Sequence, residues 1–405
     1  MTEGASAGLP YLVRGARVID PASGTDTTAD LLVMDPAGDP ARRPKVIDGR
    51  DLVAVPGLID LHTHVDPVGM EGALSPAVPG LQSGVTTVVD AGSAGAGRFR
   101  SFLDATETEP TRVLAFINLI HEGLAHNPEL RASSDLDVDA LVATISEVPD
   151  RVSGVKLRAV SPALDIFGMD LLRIAKEVCR GAGIPLMVHL GDTSSTTAAI
   201  LAAEIIDVLE PGDILTHVLS GRPGAFMSGG RTLHAAHAAH ERGVVMDMGH
   251  GVRNFSFEVA ESLLDIGIHP DTISTDIGKR PRHDGPAHSI TETMTKILSL
   301  GFSLADVIAM TTLQPADAIS RTDLGRLFGG GGTPPADGFT TSSDVSLLRV
   351  VEGDWHLADS SGAVRRAAVG VVPVGAFKDG VLHDTGPAPH ADGWLQNWRT
   401  NDDER

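Results

Sequence analysis

Apolar residues follow two rhythms along this chain. Near both ends they form short β-rich runs broken by Gly, Pro and Asp. The first are YLVRGARVID (11–20), ADLLVMD (29–35) and KVIDGRDLVAVPG (45–57), and the last are DVSLLRVVEGDWHLA (344–358) and GAVRRAAVGVVPVGAFKDGVL (362–382). Such runs predict strands and turns. Between them, short apolar strands alternate with Ala-, Leu- and Glu-rich helical stretches. Eight strands are predicted: GLIDLHTHV (57–65), GVTTVVDAG (84–92), RVLAFINLI (112–120), VSGVKLRAV (152–160), IPLMVHLG (184–191), DILTHVLS (213–220), GVVMDMGH (243–250) and TISTDI (272–277). Successive starts lie 27 to 40 residues apart, the length of a strand, a helix and two loops. Eight such units in about 260 residues is the arithmetic of a (β/α)8 TIM-type barrel. The expected fold is therefore α/β, with residues 57–320 forming the barrel. Residues 1–56 and 321–405 would meet as a small β-sandwich built from both termini. GGGGTPPADG (329–338) reads as a flexible linker and PHADGWLQNWRTNDDER (389–405) as a tail.

Composition narrows the class. Hydrophobic residues make up 42% of the 405 and charged residues 21%, which suits a globular enzyme and excludes wholesale disorder. Lys and Arg number 32 against 53 Asp and Glu, a formal charge of −21. That field repels nucleic acid and anionic lipid, so neither is an expected partner. Cys179 is the sole cysteine, which excludes an internal disulfide and a thiolate metal cluster. Its setting, LLRIAKEVCRGAGI, reads as an apolar-periodic helix, and hence a buried structural thiol. The first residues lack a signal-peptide pattern, and no apolar run approaches a membrane span. A cytoplasmic enzyme is expected.

Barrel chemistry belongs at the C-terminal ends of the strands, and polar residues gather there. The first strand carries His62 and His64; a spacing of two puts both imidazoles on one face. The fourth carries Lys156 and Arg158, again two apart. A bare ammonium is costly to bury, so Lys156 needs either a carboxylate partner across the barrel or a chemical change. Carbamylation by CO2 would supply the change, giving an anionic carbamate able to bridge two cations. The fifth and sixth strands each end in a histidine, His189 and His217, and the eighth ends in Asp276. Imidazole and hard oxygen donors without thiolate suit Zn²⁺, with Mn²⁺, Co²⁺ or Fe²⁺ as alternatives.

On these motifs the chain resembles the amidohydrolase superfamily, in its binuclear, carboxylated-lysine branch. PGLIDLHTH, GVTTVVDAGSAG, VSGVKLRA, PLMVHLG, DILTHVLSG, VVMDMGHG and ISTDI look most like the dihydroorotase-like amidohydrolase/deacetylase group, from about residue 11 to 385. The resemblance implies two divalent metal ions. His62, His64 and Asp276 would hold the more buried one, and His189 and His217 the second, with N6-carboxylysine at Lys156 and a hydroxide bridging them. Asp276 would take the hydroxide's proton and deliver it to the leaving group. Relatives commonly form homo-oligomers.

Two departures bear on the substrate. Dihydroorotases carry an Arg two residues beyond the paired histidines to hold a carboxylate; here that position is Asp66, which would repel an anion. Hydantoinases use a barrel tyrosine on the oxyanion; here the one tyrosine is Tyr11, in the N-terminal sandwich segment. His250, in DMGHG, is the replacement candidate for that contact, with a loop-capping role as the alternative. Arg158 is the candidate clamp for a substrate carboxylate, since guanidinium binds it as a fork, with a structural ion pair as the alternative. Arg280, in GKRPRHDGPAH, is a further candidate at the mouth.

Three look-alikes are set aside. HEGLAH (121–126) spaces its histidines by five, whereas the zincin helix needs four. His234, His237 and His240 recur every three residues, as on an outer helix. GSAGAG (92–97) reads as a Gly-rich loop lining the mouth. The expected activity is deacylation of N-acyl amino acids or O-acyl 2-hydroxy acids, small substrates bearing a carboxylate. The alternatives are a cyclic amide hydrolase of the dihydroorotase or hydantoinase type, and a non-catalytic scaffold.

Overall fold

A computed structural model describes residues 9–39, 41–126, 128–192, 196–328 and 338–386. The linker and tail expectations fall, but for Gly338, outside the described residues. The terminal strands are β1 (Tyr11–Asp20), β2 (Thr25–Val33), β3 (Lys45–Asp48) and β4 (Val53–Pro56). The barrel strands are β5 (Leu58–Thr63), β6 (Val85–Gly95), β7 (Arg112–Asn118), β8 (Val152–Arg158), β9 (Leu186–His189), β10 (Ile214–Thr216) and β11 (Val245–Asp247). The chain returns through β12 (Phe339–Thr341), β13 (Val345–Ala358), β14 (Val364–Lys378) and β15 (Val381–Asp384).

The terminal strands share one mixed sheet, in the order β12-β2-β1-β4-β13-β14-β15, with β3 also on β1. Strands from the two ends interleave because β4 runs parallel to β1 and antiparallel to β13. The sheet folds over its own apolar cluster of Val13, Val18, Leu31, Val345, Leu347 and Phe377. Tyr11 on β1 meets Phe377 on β14 with ring centroids 5.1 Å apart. Those strands lie three places apart in the sheet, about 14 Å if it were flat. The expected sandwich is thus formed.

β5 to β11 pair in sequence order, all in parallel. Their residues are buried on both faces, as in strands covered by helices. The helices are α1 (Phe99–Thr106), α2 (Val138–Glu147), α3 (Ala163–Phe167), α4 (Asp170–Ala182), α5 (Thr197–Asp207), α6 (Gly230–Glu241), α7 (Phe257–Leu264), α8 (Lys279–Asp284), α9 (Ile290–Ser299), α10 (Leu304–Ala309) and α11 (Leu313–Ala318). Asp137, Ser256, Ser289 and Ser303 accept N-terminal backbone N–H groups and set where α2, α7, α9 and α10 begin. Cys179 lies buried in α4, and burial pushes its thiol up to about 12.

The eighth predicted strand is the exception. Residues 272–277 close the barrel through two isolated bridges, Asp247–Thr272 and Thr63–Ile277. Its backbone still bonds both neighbours: His250 N to Ser274 O at 3.1 Å, and Asp276 N to His62 O at 2.7 Å. A continuous strand fails because Asp276 takes a left-handed φ of 48°, which no extended ladder accommodates. No helix among the described residues is long and apolar enough to cross a membrane.

The long β13–β14 hairpin leaves the terminal sheet and lies over the barrel. Val371 N donates to Thr295 Oγ1 of α9 at 3.0 Å, and Ser360 N to Phe255 O at 3.0 Å. Trp355 is 1% exposed and packs with the barrel core. A Cβ on Gly370 of the facing strand would sit 2.2 Å from its ring. Trp355→Ala is therefore expected to destabilise the protein by about 3–5 kcal/mol, read as a lower urea midpoint, while metal content stays unchanged.

Candidate active site

His62 is the last but one residue of β5, and His64 follows directly after the strand. Both turn an Nε2 to the same atom, Asp276 Oδ1, at 3.4 and 3.1 Å. Lys156, on β8, brings its Nζ to 3.3 Å from His62 Nε2. The His62 and His217 rings stand 5.1 Å apart, and those of His189 and His217 4.3 Å. These residues and Arg158 line one cavity of about 430 Å³ at the C-terminal mouth of the barrel. A larger cavity, of about 590 Å³, opens at the N-terminal ends of β9 to β11. There Lys176 is already paired with Asp213 and Glu210. The mouth is where the polar groups converge.

Each histidine is oriented through its other nitrogen. His62 Nδ1 lies 3.0 Å from Thr216 Oγ1 and 3.6 Å from Asp247 Oδ2. His64 Nδ1 meets Ser93 Oγ at 2.9 Å. His217 Nδ1 donates to Gly249 O at 2.6 Å, and His189 Nε2 to Gly191 O at 3.3 Å. Bonds of this kind fix tautomer and ring direction in metal-binding histidines. The backbone is held off its easy conformations here too: His217 and Asp276 have φ values of 69° and 48°. Left-handed non-glycine residues cost roughly 1–3 kcal/mol each and cluster at functional sites.

Burial and charge shape the ionisation of the cluster. Burial, with the neighbouring Lys156, pushes His62 down to about 4. Burial pushes His217 down to about 3. For Asp276, burial alone would raise the carboxyl, but His62, His64 and His217 hold it well below the carboxylate range. Burial pushes Lys156 down to about 8. Lys156 is 1% exposed, and among the described residues no carboxylate lies within salt-bridge distance of its Nζ. Its neighbours are His62 Nε2 and, at 3.3 Å, Met187 Sδ. A Cβ on Gly92 would lie 2.7 Å from Lys156 Cβ and Cγ, so the glycine makes room for the lysine.

The donor set fits a divalent cation. Tetrahedral ligands bonded at 2.0–2.1 Å stand about 3.3–3.4 Å apart, close to the spacings of His62, His64 and Asp276. His62, His217 and Asp276 also place ligand atoms within 4.8 Å of one another.

Other expected contacts lie elsewhere. His250 is fully buried, but its ring is turned from the cavity. Its Nδ1 donates to Gly251 O at 2.8 Å, and its Nε2 faces Lys296 Nζ at 2.9 Å. His250, the expected oxyanion contact, thus stands behind the cavity wall and not on it. Lys296, fully buried on α9, also meets Glu292 at 3.2 Å and Pro286 O at 2.5 Å. Arg280 is exposed on α8 and does not line the cavity. Asp66 is buried, accepts Gly69 N at 2.8 Å and does not line the cavity. GSAGAG is largely strand, since β6 continues to Gly95. His126 of HEGLAH, though no zincin ligand, reaches the cavity wall. His237 pairs with Glu241 on α6.

Several residues escaped the sequence reading. Asp247, fully buried on β11, accepts the Thr216 hydroxyl at 2.6 Å, Thr272 at 2.7 Å and Ser274 at 2.8 Å. Its signal was a lone carboxylate in the apolar run VVMDMGH. Asp60 accepts Thr275 Oγ1 at 2.6 Å. Glu129, 5% exposed, joins Asn118 Nδ2 at 3.1 Å to Arg158 Nη1 at 3.5 Å. Asn254 Nδ2 lies 3.4 Å from Asp276 Oδ2.

A His/Asp cluster at the C-terminal mouth of such a barrel suits metal-dependent hydrolysis, and comparison with known proteins gives the class, a hydrolase acting on carbon–nitrogen bonds. Residues 53–330 match the amidohydrolase family, and the chain belongs to it. A deacetylase from Brucella anthropi is 31% identical over 355 residues, 84% of each chain. One from Agrobacterium fabrum is 31% identical over 330 residues, 79% of this chain and 76% of its own. The crystal structure of a dihydroorotase superposes with a TM-score of 0.81 at 27% identity, covering 94% of this chain and 98% of that one.

Gly251 tests how tightly the cluster is held. Its φ is 52°, and a Cβ there would lie 2.3 Å from Asp276 Oδ2. Gly251→Ala should displace that carboxylate and weaken metal affinity by about 10- to 100-fold, measured by titration of the metal-free protein. Unchanged affinity would remove the constraint.

Proposed function

We propose that the chain is a two-metal deacylase of N-acyl amino acids or O-acyl 2-hydroxy acids. One observation carries this reading. Lys156 and Arg158, two residues apart on β8, both face the 430 Å³ cavity that holds His62, His64, His189, His217 and Asp276. A candidate metal cluster and a candidate carboxylate clamp thus stand side by side. The deacetylase names of relatives matched over most of their length support the same reading. Against the hydantoinase alternative, Tyr11 packs on Phe377 in the terminal sheet.

In this reading His62, His64 and Asp276 would hold one cation, and His189 and His217 the other. Zinc fits the donors. Lys156, carbamylated by CO2 with loss of a proton, would supply the carboxylate between the two cations. Carbamylation consumes the neutral amine, and a lysine near 8 is about one-tenth neutral at pH 7, far more than an exposed one. The cations supply an acidified water and a polarised scissile carbonyl. Asp276 takes the proton of the attacking water on the oxygen not turned to the two histidines, and passes it to the leaving nitrogen. Arg158, steadied by Glu129, receives the substrate carboxylate through its remaining N–H donors.

Lys156→Ala should lose at least one metal and most activity, and a short-chain acid added to the variant should restore part of both. Full metal content and full activity in that variant would end the bridging role. Asp276→Asn keeps the shape and one oxygen donor but cannot take the proton. It should retain most metal and lose about 10²–10⁴-fold on amides, and less on an activated ester. Near wild-type amide hydrolysis by metal-loaded Asp276→Asn would overturn the proton-transfer scheme.

A further inference from the structure

The ring of His250 is turned from the cavity, yet the turn that carries it touches the cluster at two points. Gly249 O accepts His217 Nδ1 at 2.6 Å. A Cβ on Gly249 would lie 2.6 Å from that nitrogen, and one on Gly251 2.3 Å from Asp276 Oδ2. Asn254 N closes the turn on His250 O at 3.2 Å, and Asn254 Nδ2 stands 3.4 Å from the same Oδ2. The turn is also bonded to the closing segment, by His250 N to Ser274 O at 3.1 Å and Gly251 N to Thr275 O at 2.8 Å. In the metal assignment above, His217 and Asp276 serve different cations. One turn, residues 249–254, thus braces a donor of each.

The His250 ring is held from behind. Its Nε2 faces Lys296 Nζ at 2.9 Å. An ammonium has donors only, so Nε2 accepts and the ring proton sits on Nδ1, which donates to Gly251 O at 2.8 Å. Phe255 packs on the ring with centroids 4.8 Å apart. Lys296 itself is fully buried on α9. Glu292, at 3.2 Å on the same helix, already balances its charge. The two other donors leave the helix, one to His250 and one to Pro286 O at 2.5 Å, in the segment that follows Asp276. We propose that Lys296 is a positioning residue of the hydrolytic centre: its ammonium fixes the His250 tautomer that bonds Gly251 O, and the turn so held keeps His217 and Asp276 Oδ2 in place. The inference rests on the metal centre of the deacylase reading, not on its substrate.

The test uses the whole chain as wild type, Lys296→Met, Glu292→Gln/Lys296→Met, His250→Asn and Lys296→Met/His250→Asn. Glu292→Gln/Lys296→Met removes both charges together, so it carries the test where Lys296→Met alone leaves a buried carboxylate unpaired. Nitrogen NMR of wild type should show His250 protonated on Nδ1 and bare on Nε2; without Lys296 that pattern should give way to mixed tautomers. Zinc titration of the metal-free proteins should show affinity falling about 10-fold in both variants that keep His250. Adding Lys296→Met to His250→Asn should cost under about threefold more, because both residues act through one ring. With metal saturating, hydrolysis of N-acetylalanine should fall further than that of para-nitrophenyl acetate, whose leaving group needs no proton. A lowered urea midpoint with zinc affinity unchanged would reduce Lys296 to a fold-stabilising role and overturn the proposal. So would an unaltered His250 tautomer, or losses that multiply in Lys296→Met/His250→Asn. Wild type that binds zinc but cleaves neither substrate would overturn the deacylase reading, while the NMR and zinc measurements still decide the role of Lys296. Wild type that binds no zinc would overturn the metal centre and the proposal together.

Discussion

A lysine carried into a dry barrel mouth must find an opposite charge or give up its own. Lys156 meets that constraint with imidazoles around it and no carboxylate in salt-bridge reach among the described residues. Much of the site follows from it. Gly92 leaves the gap the side chain threads. His62 Nε2 stands where a charged ammonium would gain little. The same burial holds His62 and His217 neutral, the form that binds a metal. A carbamate with two cations would satisfy the lysine and the histidines together.

The cluster is held from behind by a second buried charge. Asp247 gathers hydroxyls from Thr216, Thr272 and Ser274 and stands behind His62. These groups come from β10, β11 and the closing segment 272–277, so one carboxylate ties together the seam where the barrel's ladder is weakest. That network keeps His217 and Asp276 in backbone conformations they would not adopt alone. Strain stored this way holds the donors at spacings that suit a metal.

The wall around the cluster comes from strands and loops together. The chain matches the dihydroorotase structure over nearly its whole length. Asp66 is turned into its own loop, and Arg158 lines the cavity instead.

Much of this was legible in the chain because its rules are local. Period two along a strand puts His62 with His64, and Lys156 with Arg158, on one face wherever the strand ends up. The spacing of apolar runs likewise sets the number of βα units. Tertiary structure decided what depends on contacts between distant segments. His250 lies between Gly249 and Gly251, both with positive φ, and that turn sends its ring to Lys296, 46 residues on. The eighth strand shortened to two bridges because Asp276 turns left-handed. Arg222 and Arg158 line one cavity only because β8 and β10 both flank β9. Sequence spacing sets direction along one element, whereas convergence of loops depends on how the closed sheet curves.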